Sequence, residues 1–529
     1  MPIFSNRVSE AEEEAKQEIS NEEVEEYIAK QKQPKTRTQK ILFWLWDSFG
    51  KEPETRAYVN RLDAFLLLYT MYAYFTKYLD QSNVSNAYVS GMQQDLHMVG
   101  QDRNYMNTVF NMGYMVSITG STLSVLFMAH FRPSIVLAIC EAMWTICTLG
   151  LGGAKNKQTL YGLRFVSGLS SAAAFPGFAW VIGSWYAPDE LAKRMTLFEM
   201  SACVGTMCSG YIQAGVYDRL RGKGGIKGWQ WLFIVDGLIS LPMCFLCYFC
   251  IPDHPSNTRA PWLKPKHRAF ALKREKAFGR APPRPFTVKR FLHVFTLWQF
   301  WCFGIVMLMF TWGNFATGYW NLWLQATHKY TVAQINDIPT SGSGLLLVSA
   351  YLYAVISDAI GMRWPLIMFG AVVGLVSDII LSVWDLPLGV IMFAQLFPFA
   401  ADGGTSLSAA WIHETCQTDN ETRGMMIGLW NTVSYGFQAW IPLVLFPTPD
   451  APHYKAGYEV QGAFYVIAMF VTMLWWWMLR REVRLGKKKV NEMGLPVDAE
   501  PEVVEGVSVE RREGSDEVTA VHAEPKTVE

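Results

Sequence analysis

Charge is what this sequence has least of. Lys, Arg, Asp and Glu supply 17% of its 529 residues, against about 25% in soluble domains. What charge there is crowds into the N-terminal stretch, one central segment and the C-terminal tail. A soluble globular class is excluded by that distribution. The first 40 residues hold no apolar run, so no cleaved signal peptide is expected. All nine Cys fall in or beside apolar runs, which argues against an extracellular disulfide framework. Cys244, Cys247 and Cys250 recur at i, i+3 and i+6 in one apolar stretch without a His and read as small core residues. Enzymatic motifs are missing too: there is no HExxH, no nucleotide-binding P-loop and no GxSxG. His413 and Glu414 have no second His at ligand spacing. The protein is therefore expected to be neither an enzyme nor a cofactor carrier, with no nucleic-acid partner.

What the sequence has in quantity is apolar length. Hydrophobic residues make up 51% of it, in runs of about 20 residues that each suffice to cross the hydrocarbon core as a helix. Spans are predicted near 63–89, 104–130, 133–154, 158–185, 197–217, 229–251, 299–325, 340–361, 364–384, 387–412, 422–446 and 457–479. The fold class is all-α integral membrane, with twelve transmembrane helices in two six-helix bundles. Residues 1–62 are expected to form an N-terminal tail, with Ile41–Phe49 lying on the membrane surface. The first bundle covers 63–251, a basic central loop 252–298, the second bundle 299–480, and a disordered tail 481–529. The central loop carries about eleven Lys and Arg against two acids, and Arg480, Arg481, Arg484, Lys487, Lys488 and Lys489 follow the last span. Both should be cytoplasmic by the positive-inside rule, as should both termini. Arg219, Arg221, Lys223 and Lys227 form a smaller cluster on the wrong side. A weak internal echo supports two halves: Arg132-Pro133 after span two, and Gly361, Arg363 and Pro365 after span eight.

Ionisable residues within spans are costly in lipid and point to function. In span one, Lys77, Asp80, Gln81, Asn83 and Asn86 interrupt an apolar run that resumes at Ala87, Tyr88 and Val89. Ending the span at Tyr78 would leave a marginally short helix, so the set is read as buried. Lys77 and Asp80, three apart, can pair on one face. Span four presents Arg164, Gly168 and Ser171 as one stripe, and a guanidinium suits a carboxylate. Counting 1.5 Å per residue puts Asp80 and Arg164 at similar depth. A permanent Asp80–Arg164 or Lys77–Asp80 pair that only locks helices is the bland alternative. Glu141, Glu199 and Asp236 read as structural groups near span ends. Asp378 and Asp402 lie deeper. Tyr319 of span seven and Asn431 of span eleven are candidate cavity residues. The sequon at Asn83-Val84-Ser85 lies too near the membrane to be used.

The residues resemble a known family, the major facilitator superfamily, and within it the anion:cation symporters. The fungal allantoate, pantothenate and biotin permease branch is most similar. The resemblance spans roughly 60–480. It rests on Leu79 to Met92, on Arg132-Pro133-Ser134, and on Glu141 and Trp144. It continues through Arg164-Phe165, Gly168, Pro176-Gly177, Ile182 to Tyr186 and Glu190 to Arg194. Trp229 to Ile234, Asp236-Gly237, Trp411, Glu414, Glu421, Arg423, Asn431 and Trp440 complete it. The resemblance implies proton-driven uptake of small carboxylates by alternating access at the plasma membrane, as a monomer. It also implies proton coupling at Asp80 and anion contact at Arg164. Two departures stand out. Gln81 replaces an Arg common after the span-one Asp, and Ser171 stands where a Glu is usual. Pantothenate is the expected type of substrate, bound by Arg164, Lys77, Gln81, Asn83, Tyr319 and Asn431. The alternatives are a transporter of a specialised fungal metabolite and a non-transporting nutrient sensor.

Overall fold

The computed structural model describes residues 51–130, 132–253, 258–277, 288–415 and 420–485, with short pieces at 24–27, 46, 48, 488–490 and 496–498. Of the expected surface segment Ile41–Phe49, only Trp46 and Ser48 fall within the described residues. Twelve membrane helices follow in order. In the first half, α1 runs from Pro53–Leu62 through Asp63–Leu67 and Leu68–Ala87 into Tyr88–Met92, where it is kinked at Ser90 and Gly91, and ends with Gln93–Asp95. Then come α2 (Asp102–His130), α3 (Pro133–Gly152), α4 (Lys157–Ser171 and Ala174–Trp185), α5 (Pro188–Leu220) and α6 (Gly228–Cys250). The second half has α7 (Trp298–Gly313, Phe315–Tyr319 and Trp320–Ala326), α8 (Val332–Asp337 and Thr340–Ile360) and α9 (Trp364–Val383). It ends with α10 (Leu388–Leu396, Pro398–Ala401 and Gly403–Thr415), α11 (Asn420–Gln438 and Ile441–Leu445) and α12 (Lys455–Arg484).

Seven of these helices are long and apolar enough to cross a membrane by length and composition alone. α1 is not one of them, because Lys77, Asp80, Gln81, Asn83 and Asn86 dilute its apolar run. It still runs unbroken past them, with Lys77, Asp80, Asn83 and Asn86 buried. A span ending at Tyr78 is thereby excluded. Past the last helix, Lys488–Val490 pairs antiparallel with Pro496–Asp498. The start of the expected disordered tail thus contains paired backbone.

The face of the membrane domain that carries the central basic segment is called here the basic face, and the opposite one the far face. Two apolar cores belong to single bundles. One groups Tyr58, Leu66, Tyr74, Trp144, Phe178 and Phe198; the other groups Phe303, Phe310, Ile367, Trp411, Tyr465 and Trp475. A third lies toward the far face and draws on both halves, joining Val84, Met106, Leu151 and Trp229 to Tyr319, Trp320, Leu381 and Phe446. Burial of those side chains holds the two bundles together on that side.

Small residues set how closely the helices approach. A β-carbon on Gly168 would collide with the carbonyl oxygen of Phe110, and one on Gly113 with that of Phe165. α2 and α4 therefore touch backbone to backbone, as membrane helices with small residues at the contact do. Gly205 of α5 meets the Phe75 carbonyl of α1 in the same way. These contacts decide which faces of α1, α2 and α4 look at one another.

On the basic face, the first turn of α5 is tied to two distant segments. Glu190 is fully buried and accepts from Lys51 at 2.6 Å and Arg274 at 2.7 Å, the latter on the loop helix Pro265–Ala277. One turn on, Arg194 grips both oxygens of Asp63 in α1 at 2.7 and 2.9 Å, and its guanidinium lies over the rings of Trp46 and Tyr186. Burial alone would push the Glu190 carboxyl up. The charges and hydrogen bonds of Arg274 and Lys51 outweigh that and hold it down to about 2.

Two outcomes follow for stability. Gly168→Val should push α4 off α2 and destabilise the bundle by about 1–3 kcal/mol, read as a lower midpoint of thermal unfolding in detergent. Glu190→Gln should cost about 3–5 kcal/mol, since it leaves two cations without their buried counter-charge. Because the folded carboxyl is depressed, its contribution is complete above the unfolded value of about 4.3. It is lost as pH falls through about 2. The same unfolding scans across acidic pH check that sign.

Candidate functional site

The polar residues of α1 divide between two environments. Lys77 is 3% exposed and makes no contact with Asp80. Its Nζ donates to the hydroxyl of Tyr114 at 3.4 Å and lies 5.1–5.3 Å from the ring centres of Tyr74, Tyr78 and Tyr114. The ring faces supply the negative potential that a carboxylate otherwise would. Tyr114 in turn stacks on Tyr435 of α11, centroids 3.9 Å apart, so this cation lies where the two bundles meet. The possible Lys77–Asp80 pair is not formed: Tyr74 and Tyr78 of α1 itself and Tyr114 of α2 lie around the ammonium instead.

Asp80 faces the interior of the first bundle. Its Oδ2 accepts from Thr148 of α3 at 3.0 Å, and its carboxyl lies within hydrogen-bonding reach of Asp236 of α6. Asn83 donates to Asp236 Oδ2. Arg164 is 3% exposed and feels the charge of Asp80 without forming an ion pair with it. Its guanidinium sits 4.3 Å from the Phe110 ring of α2, and its Nε is buried with no acceptor. Neither bland ion pair therefore exists, and both cations keep unused capacity for an anion. Ser171 donates to Gly168 of its own helix at 3.4 Å.

Glu141 and Asp236 are not near helix ends. Both are fully buried, several residues inside α3 and α6. The expected spans 133–154 and 229–251 agree with these helices to within two residues, so the bounds were right and the depth of both acids within them was misread. Both Glu141 oxygens lack a donor among the described residues, and the neighbouring Tyr69 hydroxyl is spent on the Met243 carbonyl.

Broken helices build the remainder of the site. α11 stops at Gln438 and restarts at Ile441, just before Pro442, which has no N–H to return to Gln438. The carbonyls released there are capped by α2 of the other bundle. Asn111 donates to Gln438 O at 3.1 Å, Thr108 to Ala439 O at 2.6 Å, and Asn104 to Pro442 O and Phe446 O at 3.1 and 2.7 Å. Tyr319 donates to Asn104 Oδ1 at 2.7 Å. Arg103 reaches the Gly318 carbonyl in the break of α7 at 2.6 Å, its guanidinium over the Tyr319 ring. Asn321 bonds Asn86, and Asn336 bonds Ser90. The cross-bundle hydrogen bonds named here all lie toward the far face. The far side is closed.

Beneath these contacts is a cavity of about 360 Å³, bounded by Arg103, Asn107, Asn314, Tyr319, Asp402 and Gln438 among others. Two turns along α2, at 1.5 Å per residue, separate it from the Lys77 cluster by about 10 Å. Of the expected substrate residues, Tyr319 lines the cavity, while Lys77 and Arg164 lie below it. Asn83 is committed to Asp236 and to Ser209, whose hydroxyl donates to it at 2.5 Å. Gln81 and Asn431 are half-buried and do not border the cavity. Arg103 and the Asn104, Thr108, Asn111 stripe were not expected. Their signal was legible as spacings of four and three on one helix face, but Arg103 and Asn104 fell at or before the assigned start of span two, and Thr108 and Asn111, inside it, carry no charge to single them out.

Two bundles closed on one side around buried charges and a polar cavity define a secondary transporter of the alternating-access type. Residues 70–442 match the model of the Major Facilitator Superfamily, and the chain belongs to that family. It is 34% identical over 80% of both chains to the MFS transporter PfmaC of Pestalotiopsis fici. It is 32% identical to the pantothenate transporter liz1 of Schizosaccharomyces pombe, over 77% of this chain and 79% of that one. Among solved structures, a D-xylose-proton symporter superposes with TM-score 0.59 at 15% identity, covering 77% of this chain and 96% of that one. That likeness concerns the fold.

Tyr319→Phe keeps the ring under Arg103 and removes one cross-bundle hydrogen bond. A bond of about 1 kcal/mol predicts an about fivefold larger far-open population. A cysteine placed at Asn107 should react correspondingly faster with an impermeant thiol reagent applied from the far side.

Proposed function

We propose that this protein is a proton-coupled importer of a small organic carboxylate of the pantothenate type. The observation that carries the reading is the pair of buried cations, Lys77 and Arg164, neither in an ion pair, at and beside the meeting of the two bundles. A charge in that position is retained only where it serves a pathway or a ligand. A carboxylate supplies the missing counter-charge to both. A polar body beyond it, with hydroxyl and amide groups, suits the cavity walls of Asn, Gln and Asp on the far side. The similarity to a pantothenate transporter supports the substrate class.

Asp80 is the proton carrier in this scheme. Its negative charge acts on Arg164 without an ion pair, and its protonation removes that competition and leaves the cation to the substrate carboxylate. With substrate and proton bound, the site carries less unpaired charge, and the bundles rock to open the other side. The basic central segment and the Arg-rich end of α12 support a cytoplasmic basic face with both termini inside. The far face is then extracellular, in the plasma membrane, and the protein acts as a monomer.

Uptake of labelled pantothenate by cells lacking their own vitamin permeases tests the reading, at acidic and neutral external pH, with biotin and allantoate as competitors. Acid-stimulated, protonophore-sensitive uptake that resists the competitors is the expected result. No uptake of any of the three, with the protein at the cell surface, would overturn the vitamin assignment. Arg164→Ala should lower uptake at least tenfold through a raised KM. Asp80→Asn should abolish accumulation while sparing exchange of labelled for unlabelled substrate.

A further inference from the structure

We propose that Asp236 of α6 shares one proton with Asp80, so that the coupling site is a two-carboxyl pair, and that the opposite bundle reads the state of this pair through a chain of hydrogen bonds. The proposal rests on the reading of Asp80 as a proton carrier and adds the residue that holds the proton's second position.

The geometry has three parts. Each carboxyl has one oxygen served by a neutral donor, Thr148 for Asp80 Oδ2 and Asn83 for Asp236 Oδ2. The second oxygen of each, Oδ1 in both, is buried with no donor. Asn83, the donor to Asp236, follows Asp80 by one turn on α1, so the two carboxyls share one level of the bundle interior, and the charge of each acts on the other. Two carboxylates facing each other in this interior repel strongly, whereas one proton between the two unserved oxygens satisfies both.

The surroundings agree from every helix packed against the pair. α3 contributes Thr148 and a third carboxyl, Glu141. α4 contributes Arg164, outside ion-pair contact. α5 contributes the neutral Ser209, α6 also the Cys244 thiol and α1 the Tyr72 hydroxyl. Lys77 of α1 is turned to its tyrosines. One cation beside three acids leaves an excess of negative charge that a bound proton relieves.

The hydrogen bonds also have a direction. Asn321 of α7 donates to Asn86 Oδ1 at 3.0 Å, and Asn86 donates to Ser209 at 2.7 Å. Ser209 donates to Asn83 Oδ1 at 2.5 Å, and Asn83 donates to Asp236 Oδ2. Every donor points toward Asp236, whose Oδ2 must accept. The proton is thereby restricted to the Oδ1 side. A change in the charge of Asp236 alters the last acceptor of a chain that begins in the other bundle.

The test uses the purified full-length protein and Asp236→Asn, Asp80→Asn and Asn83→Ala variants. Infrared difference spectra between neutral and alkaline pH read the C=O band of a protonated carboxyl without any substrate. The shared site predicts one such band, displaced in both aspartate variants and shifted in its pH midpoint by Asn83→Ala. This last change keeps both carboxyls and removes only the donor to Asp236 Oδ2, and so guards against misfolding of the others. In cells, Asp236→Asn should lose the acid stimulation of pantothenate uptake, and Asp236→Glu should recover it. A band and pH profile unchanged in Asp236→Asn but lost in Asp80→Asn would overturn the pair and leave Asp80 acting alone. A band unchanged in both would overturn the proton role of Asp80 as well.

Discussion

A helix broken inside a membrane cannot hand its free carbonyls to water, so each must find a donor within the protein. The gap in α11 before Pro442 releases such carbonyls, and their donors are side chains of α2 from the other half of the molecule. Secondary structure in one bundle is thus completed by the sequence of the other, but only while the far side is shut. Parting the bundles there exposes both the carbonyls and the Asn and Thr side chains at once. Water then takes over both halves of each bond, so the exchange is nearly even in energy. A transporter needs such an interface: firm enough to define a closed state and weak enough to leave it.

The buried charges extend the same logic. Lys77 rests on aromatic faces and Arg164 on Phe110, arrangements that make a cation tolerable without neutralising it. Ion pairs inside the bundle would have been a stable and silent solution. Keeping the cations apart from Asp80 leaves them responsive to an incoming anion. The stacking of Tyr114 on Tyr435 puts that response at the bundle contact itself, where a small rearrangement is felt by both halves.

Much of this was legible in the sequence, because lipid imposes strict rules on composition. Twelve spans and the burial of the α1 polar set follow from apolar run length and from the apolar residues that resume at Ala87. Arg164 announced itself by its cost. Angular placement was less legible. Spacing on α1 allowed Lys77 to face Asp80, but the glycine contacts of α2 with α4 and of α5 with α1 turned the helices so that tyrosines cover the lysine. Asp236 and Glu141 were misjudged in depth although their helices were bounded correctly, because which residues neighbouring helices cover depends on packing that spacing does not give. Arg103 was missed because its role depends on a carbonyl in a distant helix break.

The buried cluster at Glu190 bears on how the chain is made. Lys51 precedes α5 in the sequence, but Arg274 lies 84 residues beyond Glu190. While the protein is being synthesised, α1 to α6 are complete well before that second cation leaves the ribosome. Until then Glu190 has only part of its native neutralisation. The first six helices are therefore not a finished module when their last residue is added. They mature only when the connecting segment folds back against them, so the seam between the two halves of the gene lies later than the last helix of the first bundle.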